Sequence, residues 1–592
     1  MRKRILAFVL FASAAFCATI SYAEQLNPDR PKKIIQFGLD NASPEWLEKN
    51  IDVVEKFLPY DGIGITFDEG IDKNGKKMFI RYKLFGAEKM ERSWFDSYVK
   101  SLKNVKFKKL RHNFIRANYA NFDGTFDLFN DKFWEDGVYN NFRILASIAK
   151  ECGMEGITFD MEDYGGRKLW KYNPKCGHSY ADAYTKARER GQGFIKALSD
   201  KFPEIKIFAW FWIDMVFGPA DGTPFLFERL EASDTGLLVG FINGIYDGLP
   251  PEAIIIDGME AHGYAAKNID SFYRLRALRE IRFRRMLAPE NQRKLREQTF
   301  LAVGTYLDSY VNEKPPYRLE NDSGMNRTGF FRRNLSLSFD FSDEYVWTWS
   351  QCRTWFPIEN PSPNMIKNFQ MNPSVPGPLW HDAIPGIEEA IIYARNPYEF
   401  SMTRLKIGKT SKNMVRNHDF EQKDFSSGET ITPAADNVPL AKARYWEAWQ
   451  PKRSKGIFSV VSGEGTNGSA AVKMEGVVDG AILQSIKADP NGVHIVRASA
   501  RTVHAAGASL SVAWKNANGA WCNNSLRAFS SFHEDLGNGW KRATIFIPAV
   551  PQGTQYIVPM LFMTSSGDRK DMALFDDVEV FQIKFDADEP KK

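Results

Sequence analysis

Three acidic side chains follow one short hydrophobic run in the sequence. The run GITF, residues 156–159, leads through Asp160 and Met161 into Glu162 and Asp163. In an extended strand, residues two apart point to the same side, so Asp160 and Glu162 are expected to lie next to each other. Neighbouring carboxylates repel each other, which keeps a proton on one of them and suits it to general acid catalysis. The sequence therefore predicts an acid/base site at the end of this strand.

A general acid that cleaves a glycosidic bond works with a second carboxylate across that bond. Two candidates follow later hydrophobic runs, Glu260 and Asp308, and either can be the nucleophile or base. Asp257, three residues before Glu260, is expected to orient it. The predicted catalytic set is thus Glu162 as proton donor, Asp160 as the group that tunes it, and Glu260 or Asp308 as partner. The alternative is a structural acid cluster that binds loop amides or a cation.

Aromatic and polar side chains end several of the same runs. Sugar rings present C–H faces that pack on indole rings, so tryptophans around one site are typical of glycan binding. In the pairs Trp210/Trp212 and Trp347/Trp349 both rings are expected to face one way, and one pair can belong to the core instead. The predicted substrate-binding residues around the acids are Asp257, Trp210, Trp212, Trp349, Trp355, Arg116 and Tyr119.

The residues above are carried by eight short apolar runs with amphipathic segments between them. The runs begin near Ile34, Gly62, His112, Gly156, Lys206, Ala253, Thr299 and Glu344. Nearly continuous apolar strands are typical of a parallel sheet covered on both faces. Helical periodicity is found over residues 44–57, 131–152, 180–201, 237–247, 267–298 and 386–395. We therefore expect a (β/α)₈ TIM barrel over residues 30–405, with its chemistry at the carboxyl ends of the strands. An open doubly wound sheet is the alternative.

The character of the sequence changes beyond Lys406. Helical periodicity stops, and short strand-like runs such as GIFSVV, SLSVAW and YIVPMLFM alternate with Gly, Asn and Asp turns. This pattern predicts a C-terminal β-sandwich over residues 413–585. Trp446 and Trp449, in a loop-like stretch, are expected to stack on glycan, whereas Trp514 and Trp540 are expected to be core or turn residues.

Both ends of this second domain resemble a known family. The segments NMVRNHDFE (Asn413–Glu421) and LFDDVEVF (Leu574–Phe581) are similar to those of carbohydrate-binding modules of the family 4/9, galactose-binding-like jelly-roll type. His418 stands where that family usually has glycine. The resemblance implies a jelly roll, glycan binding, and a structural calcium ion at Asp576 and Asp577.

The acidic strand end also resembles a family. Its D-x-E element, Asp160 and Glu162, is similar to the fourth-strand signature of chitinase-like barrels, in which the Glu is the proton donor. The chain departs from that signature at Thr158 and Met161. In outline the barrel resembles clan-A glycosidases, whose nucleophile after strand seven is a Glu, whereas this chain has Asp308 there.

The first residues predict export. Arg2, Lys3 and Arg4 precede an apolar run, and the run ends in Ser21-Tyr22-Ala23, so residues 1–23 are expected to be a signal peptide cleaved after Ala23. The product would be secreted or periplasmic, with no membrane insertion after cleavage. Removing these three charges from the formal +5 leaves +2, which gives no electrostatic case for binding nucleic acid. A Cys152–Cys176 disulfide is permitted in an oxidising compartment, and spacing alone does not decide it.

Other chemistries lack their motifs. The sequence has no G-x-S-x-G elbow, no H-E-x-x-H or paired-cysteine zinc motif, and no phosphate-binding glycine loop. We therefore expect no catalytic metal or cofactor. The favoured hypothesis is a secreted glycoside hydrolase that acts on polysaccharide. The alternatives are a non-catalytic polysaccharide-binding protein on a degenerate barrel, which the missing Glu after strand seven favours, and a carbohydrate-modifying enzyme such as a lyase.

Overall fold

The structure is a computed structural model. It describes residues 32–38, 42–71, 74–75, 77–80, 83–117, 124–162, 166–212, 214–216, 226–313, 318–351, 353–357, 379–422, 438–440, 443–489, 492–522 and 527–586. The expected signal peptide and Tyr119 lie outside these residues. None of the helices in these ranges is both long and apolar enough to cross a membrane.

The chain forms two compact units. One consists of Met1–Glu320 and Asn334–Ile391, and the other of Asn321–Arg333 and Ile392–Lys592. We call them the α/β unit and the β unit, after their described elements, and each is described separately below.

The α/β unit is built on a curled parallel sheet and a small antiparallel hairpin. Its strands are β1 (Lys33–Gln36), β2 (Gly62–Thr66), β3 (Glu69–Ile71), β4 (Lys77–Phe79), β5 (Phe114–Arg116), β6 (Gly156–Phe159), β7 (Lys206–Ala209), β8 (Ile254–Asp257), β9 (Thr299–Leu301), β10 (Gly304–Tyr306) and β11 (Tyr345–Trp349). Strands β3 and β4 form the hairpin, and the other nine have the order β10-β11-β1-β2-β5-β6-β7-β8-β9. A strand is present at each of the eight predicted runs, which confirms them.

The seventh predicted run forms two strands that pair with different neighbouring strands. Strand β9 pairs with β8, whereas β10 pairs with β11, at the other end of the sheet order. Two residues, Ala302 and Val303, separate the two strands. From Leu301 to Gly304 the chain reaches at most about 11 Å. The two ends of the sheet therefore come close together at this segment.

Thirteen α-helices are described, and most fall in the predicted segments. They are α1 (Pro44–Phe57), α2 (Asp96–Asn104), α3 (Asn140–Glu151), α4 (Tyr180–Ser199), α5 (Leu226–Ala232), α6 (Gly236–Gly248), α7 (Glu260–Tyr264), α8 (Ile269–Ala277), α9 (Gln292–Gln298), α10 (Arg327–Phe341), α11 (Trp380–Ala383), α12 (Ile387–Arg395) and α13 (Pro397–Lys406). The helix predicted over 267–298 is interrupted between α8 and α9 by a π-helical turn, Leu278–Arg282, and two 3₁₀ turns. Pro289 begins the second of these 3₁₀ turns and has no N–H for a continuous helix.

A partly buried charged network lies at the amino ends of the strands. Glu155, just before β6, accepts hydrogen bonds from Lys206 Nζ at 2.5 Å, and its other oxygen lies 2.5 Å from His112 Nδ1. Burial alone would raise the pKa of Glu155, but these two contacts outweigh it and lower the pKa to about 2. Lys206 also donates to the Tyr345 hydroxyl at 2.6 Å. This edge of the sheet is therefore held together by ion pairs, away from the acids that follow β6.

The β unit contains two antiparallel sheets. Its strands are β12 (Val438–Pro439), β13 (Glu447–Trp449), β14 (Ile457–Val461), β15 (Ala471–Glu475), β16 (Asp479–Leu483), β17 (Ile486–Lys487), β18 (His494–Val503), β19 (Gly507–Lys515), β20 (Ala528–Ser531), β21 (Glu534–Gly537), β22 (Trp540–Ile547), β23 (Tyr556–Thr564) and β24 (Met572–Gln582). The seven-stranded sheet has the order β12-β13-β16-β23-β19-β20, with β17 paired to β23, and the six-stranded sheet has the order β14-β15-β24-β18-β22-β21. One buried cluster draws on both sheets, for example Leu510 and Leu561 from the first and Val496 and Phe575 from the second.

The cysteines within the described ranges are unpaired. Cys152, Cys176 and Cys522 are all free thiols. The disulfide that the sequence left open between Cys152 and Cys176 is therefore absent from this structure.

Candidate functional site

Asp160 and Glu162 form a turn rather than a pair on one strand face. Strand β6 ends at Phe159, so the alternation of a strand no longer holds beyond it. Asp160 is 2% exposed, and its Oδ1 accepts a hydrogen bond from the Glu162 backbone N–H at 3.0 Å. Glu162 is exposed, and its carboxylate forms no ion pair with another described residue. The Asp160 side chain therefore binds the backbone of the turn, as the alternative of a structural acid cluster predicts, and the pairing of the two carboxylates stays a prediction.

Asp257 and Glu260 stand at the end of β8. Asp257 is fully buried, and its Oδ1 accepts the N–H of Met259 at 3.2 Å. Met259 has a left-handed backbone, φ 45°, which turns the chain into α7. Glu260 is the first residue of that helix, is partly exposed, and donates its N–H to the Trp210 carbonyl at 3.1 Å. Asp257 thus shapes the turn that presents Glu260.

Asp308 is tied into the protein interior. It is fully buried in the 3₁₀ turn after β10, and its Oδ2 accepts the Gln351 N–H at 2.7 Å. Its Oδ1 lies 3.6 Å from the Arg353 guanidinium. Both oxygens therefore have structural contacts to the segment that follows β11, which leaves Asp308 poorly placed to attack a substrate.

Arg116, Trp210 and Trp349 form a cluster that we call the aromatic–arginine shelf, in which Arg116 (8% exposed) and Trp210 (4% exposed) are buried and Trp349 is partly exposed. The Arg116 guanidinium carbon lies 5.3 Å from the Trp210 ring centroid and 5.0 Å from that of Trp349. The two indoles are 5.0 Å apart between centroids at 68°. Below them Trp347, fully buried, stacks on Trp210 at 6.0 Å and 11°. Cation–π contacts of this kind attract the guanidinium to the two rings.

Two of the predicted stacking tryptophans are structural instead. Trp212 is fully buried, and its Nε1 donates to the Tyr246 hydroxyl of α6 at 3.2 Å. Strand β7 ends at Ala209, so strand alternation does not fix the directions of Trp210 and Trp212. Trp355 is 1% exposed and meets the Tyr60 ring edge-on at 5.2 Å. The expectation that these two rings face a ligand is wrong, because both are packed inside the unit.

The elements bring the surviving candidates together at one edge. In the sheet order β5, β6, β7 and β8 are consecutive neighbours, and at their carboxyl ends stand Arg116, Glu162, Trp210 and Glu260 respectively. Neighbouring strands are spaced about 4.8 Å, so β6 and β8, which precede Glu162 and Glu260, are roughly 10 Å apart with β7 between them. Glu162 and Glu260 both reach solvent, and a carboxylate that reaches solvent can exchange protons with a sugar.

In the β unit, the structure contradicts the role predicted for Trp446 and shows a group of aromatic rings that the sequence did not indicate. Trp446 is 1% exposed in the core, and its Nε1 donates to the Asn417 carbonyl at 2.9 Å, so its expected stacking on glycan is wrong. Trp449 remains partly exposed beside three rings that the sequence did not single out together. This aromatic face, on the seven-stranded sheet, consists of Trp449, Trp521, Tyr556 and Phe562. Lys515 lies over Trp521 at 4.6 Å.

Asp576 and Asp577 bind hydroxyl and amide groups. Asp576, fully buried, accepts hydrogen bonds from Thr466 N, Thr466 Oγ1 and Ser469 Oγ at 2.6–2.8 Å, and burial raises its pKa. Asp577 accepts from Thr466 Oγ1 at 2.5 Å. Among the described residues no three His, Cys, Asp or Glu side chains are grouped to hold a metal ion. Calcium takes six to eight oxygen ligands, and these two carboxylates are already engaged by donors.

No family model and no curated protein matches this chain. Among solved structures it is similar to TmCBM61 in complex with β-1,4-galactotriose, at 17% identity and a TM-score of 0.19, over 29% of this chain and 99% of that one. It is similar to the CBM22-1–GH10 modules of the Clostridium thermocellum xylanase 10B, at 12% identity and a TM-score of 0.20, over 30% of each chain. It is also similar to the MgGH51 α-L-arabinofuranosidase, at 11% identity and a TM-score of 0.21, over 30% of this chain and 27% of that one. The match thus spans less than a third of the length of either enzyme.

Proposed function

We propose that this chain is a glycoside hydrolase that acts on polysaccharide. The observation that supports the proposal is the sheet order, in which β6 and β8, the strands that precede Glu162 and Glu260, lie on either side of β7. Glu162 is the proton donor and Glu260 the second carboxylate, since cleavage of a glycosidic bond needs two carboxyl groups across it. Asp160 is a positioning residue, because its side chain holds the Glu162 backbone.

The choice of Glu260 over Asp308 follows from exposure. A group that attacks a sugar or activates water must reach the reacting atoms. Asp308 is fully buried and engaged by Gln351 and Arg353, whereas Glu260 opens α7 and is partly exposed. Within the shelf, Trp349 is the partly exposed ring, and it is the one on which a pyranose would stack.

The scaffold we propose for this site is a closed (β/α)₈ barrel with a C-terminal jelly-roll module. The nearness of β9 and β10 along the chain, at opposite ends of the sheet order, supports closure of the sheet. In the module, the aromatic face of Trp449, Trp521, Tyr556 and Phe562 would hold the enzyme on its polymer, which raises the local substrate concentration. A calcium ion near Asp576 stays a prediction, and a lower Tm after adding EGTA would support it.

The test compares two glutamate substitutions in the full chain. Glu162→Gln keeps the shape of the side chain and removes its proton, so release of reducing ends from a panel of plant, algal and host glycans should fall at least about 100-fold. Glu252→Gln is the control, because Glu252 is exposed at the opposite edge of the same sheet, before β8. Unchanged turnover by Glu162→Gln at an unchanged Tm would contradict the assignment.

The second candidate is a non-catalytic polysaccharide-binding protein. The burial of Asp257 and Asp308 favours this candidate. Of the described carboxylates that the sequence indicated, burial leaves only Glu162 and Glu260 able to reach a substrate. Retention of the wild-type chain on a polymer, without new reducing ends and without unsaturated products that absorb ultraviolet light, would support this candidate over a hydrolase or a lyase.

A further inference from the structure

A cavity of about 490 Å³ opens in the β unit on the six-stranded sheet. Its floor is formed by Arg501 of β18 and Trp540 of β22, and its walls by the turn after β14, residues 463–468, and by Asn538. On β18, Ala498 and Ala500 point into the core, so Arg501 points to the other side of the sheet. The cavity is therefore distinct from the aromatic face, which belongs to the seven-stranded sheet.

The floor consists of the Trp540 indole and the Arg501 guanidinium, and one N–H of the guanidinium makes no hydrogen bond with the described residues. Trp540 is 4% exposed and packs on Ala471 and Leu574. The Arg501 guanidinium carbon lies 5.5 Å from the Trp540 ring centroid, and one terminal nitrogen lies 3.6 Å from Glu464 Oε2. The Arg501 Nε–H is buried, and no hydrogen-bond partner for it exists among the described residues. A buried donor of this kind is costly until an acceptor reaches it.

Hydrogen bonds to Asp576 hold the turn that forms the wall of the cavity. Asp576 binds the backbone and hydroxyl of Thr466 and the hydroxyl of Ser469. A side chain on Gly465 would place its Cβ 2.5 Å from Asp576 Oδ2, so glycine is needed for this close approach. Asn467 has a left-handed backbone with φ 53°, which asparagine tolerates better than most residues. The turn is thus held in shape before any ligand arrives.

We propose that this cavity binds a neutral sugar residue, as a second saccharide site of the β unit. The volume is in the range of small-ligand sites, roughly 300–1,000 Å³. Glu464 and Arg501 cancel in charge, and with the amides of Asn467 and Asn538 they offer both acceptors and donors to sugar hydroxyls. A carboxylate or sulfate ligand would meet Glu464, and an apolar ligand would leave these polar groups unpaired. The proposal does not depend on hydrolysis, since it shares no residue with the acids of the α/β unit.

Hydrogen exchange measured by mass spectrometry on the full chain gives a local test. Xylotriose, cellotriose, mannotriose and β-1,4-galactotriose are added separately at saturating concentration. At least one is expected to slow exchange in peptides that cover residues 463–469 and 535–541. Arg501→Met and Glu464→Gln should each lose this protection. Arg497→Met, on the same strand and the same side but paired with Glu579, should keep it.

Three outcomes would overturn the proposal. The first is no protection of these peptides by any of the four trioses. The second is protection that persists in both Arg501→Met and Glu464→Gln. The third is protection by tri-galacturonate alone, which would assign the cavity to an anion. Because Glu464 lies in an exposed turn, Glu464→Gln keeps the test valid if Arg501→Met disturbs the fold. Glu162→Gln should retain the protection, which separates this site from the proposed hydrolase activity.

Discussion

Asp160 and Glu162 show how a single hydrogen bond divides two like side chains into different roles. The Asp160 carboxylate is buried against the backbone amide of Glu162, and the Glu162 carboxylate is left to solvent. The sequence identified both residues and the strand end that carries them. It did not identify the turn, because the point at which β6 ends depends on what its neighbours pair with rather than on its own residues.

Two substitutions of Asp160 distinguish the effect of its hydrogen bond to the Glu162 backbone from the effect of its negative charge. Asn keeps an oxygen that accepts the Glu162 N–H, whereas Ala leaves that amide without its partner. We expect Asp160→Ala to lower kcat/KM by about 100-fold through misplacement of Glu162, and to lower the free energy of unfolding by about 1 kcal/mol more than Asp160→Asn does. Glycan turnover and thermal unfolding of the full chain measure the two effects. Equal losses in both variants would show that the charge of Asp160 matters and its hydrogen bond does not.

His494 is a buried titratable group in the β unit. It is fully buried on β18, beside the Gly492 backbone and near the Asp489 carboxylate. Burial lowers its pKa from 6.5 to about 4, so at mildly acidic pH the unfolded chain binds a proton there that the folded chain does not. The stability contribution is fully present above the unfolded pKa and is lost as the pH falls through the folded pKa, by roughly 3 kcal/mol in all.

The measurement is calorimetric unfolding of the full chain at pH values on both sides of this window. In His494→Leu, the free energy of unfolding of the β unit should fall less with decreasing pH than it does in the wild type. His533→Leu is the control, because His533 is exposed in the same unit and should leave the pH dependence unchanged. A wild-type pH dependence in His494→Leu would rule out this group as its source.

At the scale of elements, the apolar runs predicted where strands occur but not the residues at which the strands end. All eight runs of the α/β unit contain strands, because a strand covered on both faces needs apolar residues throughout. Strand β18 was not predicted, since its outward residues Arg497, Ser499 and Arg501 break the apolar pattern. The aromatic face was also missed, because Trp449, Trp521, Tyr556 and Phe562 come together through strand pairing that spans more than 100 residues.

Helices α4 and α6 pack backbone to backbone. A Cβ on Gly244 of α6 would lie 1.8 Å from the Arg188 carbonyl oxygen of α4, and one on Gly191 of α4 would lie 1.9 Å from the Phe241 carbonyl oxygen. The apolar period of α6 predicted the helix correctly, but it did not show that glycines form this contact. Phe194 of α4 packs on Phe159 of β6, and Tyr246 of α6 contacts Trp212, so the spacing of the two helices bears on the strand ends that precede the site.

A methyl group at this contact must push the helices apart. We expect Gly244→Ala to lower the free energy of unfolding by about 1–3 kcal/mol, despite the better helix propensity of alanine. Thr185→Ala on the exposed side of α4 is the control and should change stability by less than about 0.5 kcal/mol. Thermal unfolding compares them, and a stabilised Gly244→Ala would show that the helices can move apart without cost.

At the scale of the whole molecule, the change of sequence pattern beyond Lys406 predicted two domains, and the structure has two compact units. The positions of the acids could be predicted because parallel strands present their carboxyl ends at one edge. The burial of Asp308, Trp212 and Trp446 could not, because it depends on partners distant in the chain: Gln351 for Asp308, Tyr246 for Trp212 and Asn417 for Trp446.

Export is a prediction about the whole chain. If residues 1–23 are a signal peptide, expression of the full sequence in a bacterium should yield a periplasmic or secreted protein whose first residue is Glu24. Mass spectrometry of the purified protein identifies that terminus. Replacing Arg2, Lys3 and Arg4 with Glu should leave the uncleaved chain in the cytoplasm. Cytoplasmic protein that retains Met1 in the wild type would contradict the prediction.

Trp347 has a consequence for the segment between β9 and β10. Its indole N–H is shared by two carbonyl oxygens, Gly258 at 2.9 Å and Ala302 at 3.2 Å. One ring from β11 thereby links the segment between β9 and β10 to the residue that follows β8. A phenylalanine there would fill much of the same space yet leave both oxygens to water. Solvent would then enter the sheet at its seam, directly beneath the shelf on which a sugar is proposed to rest.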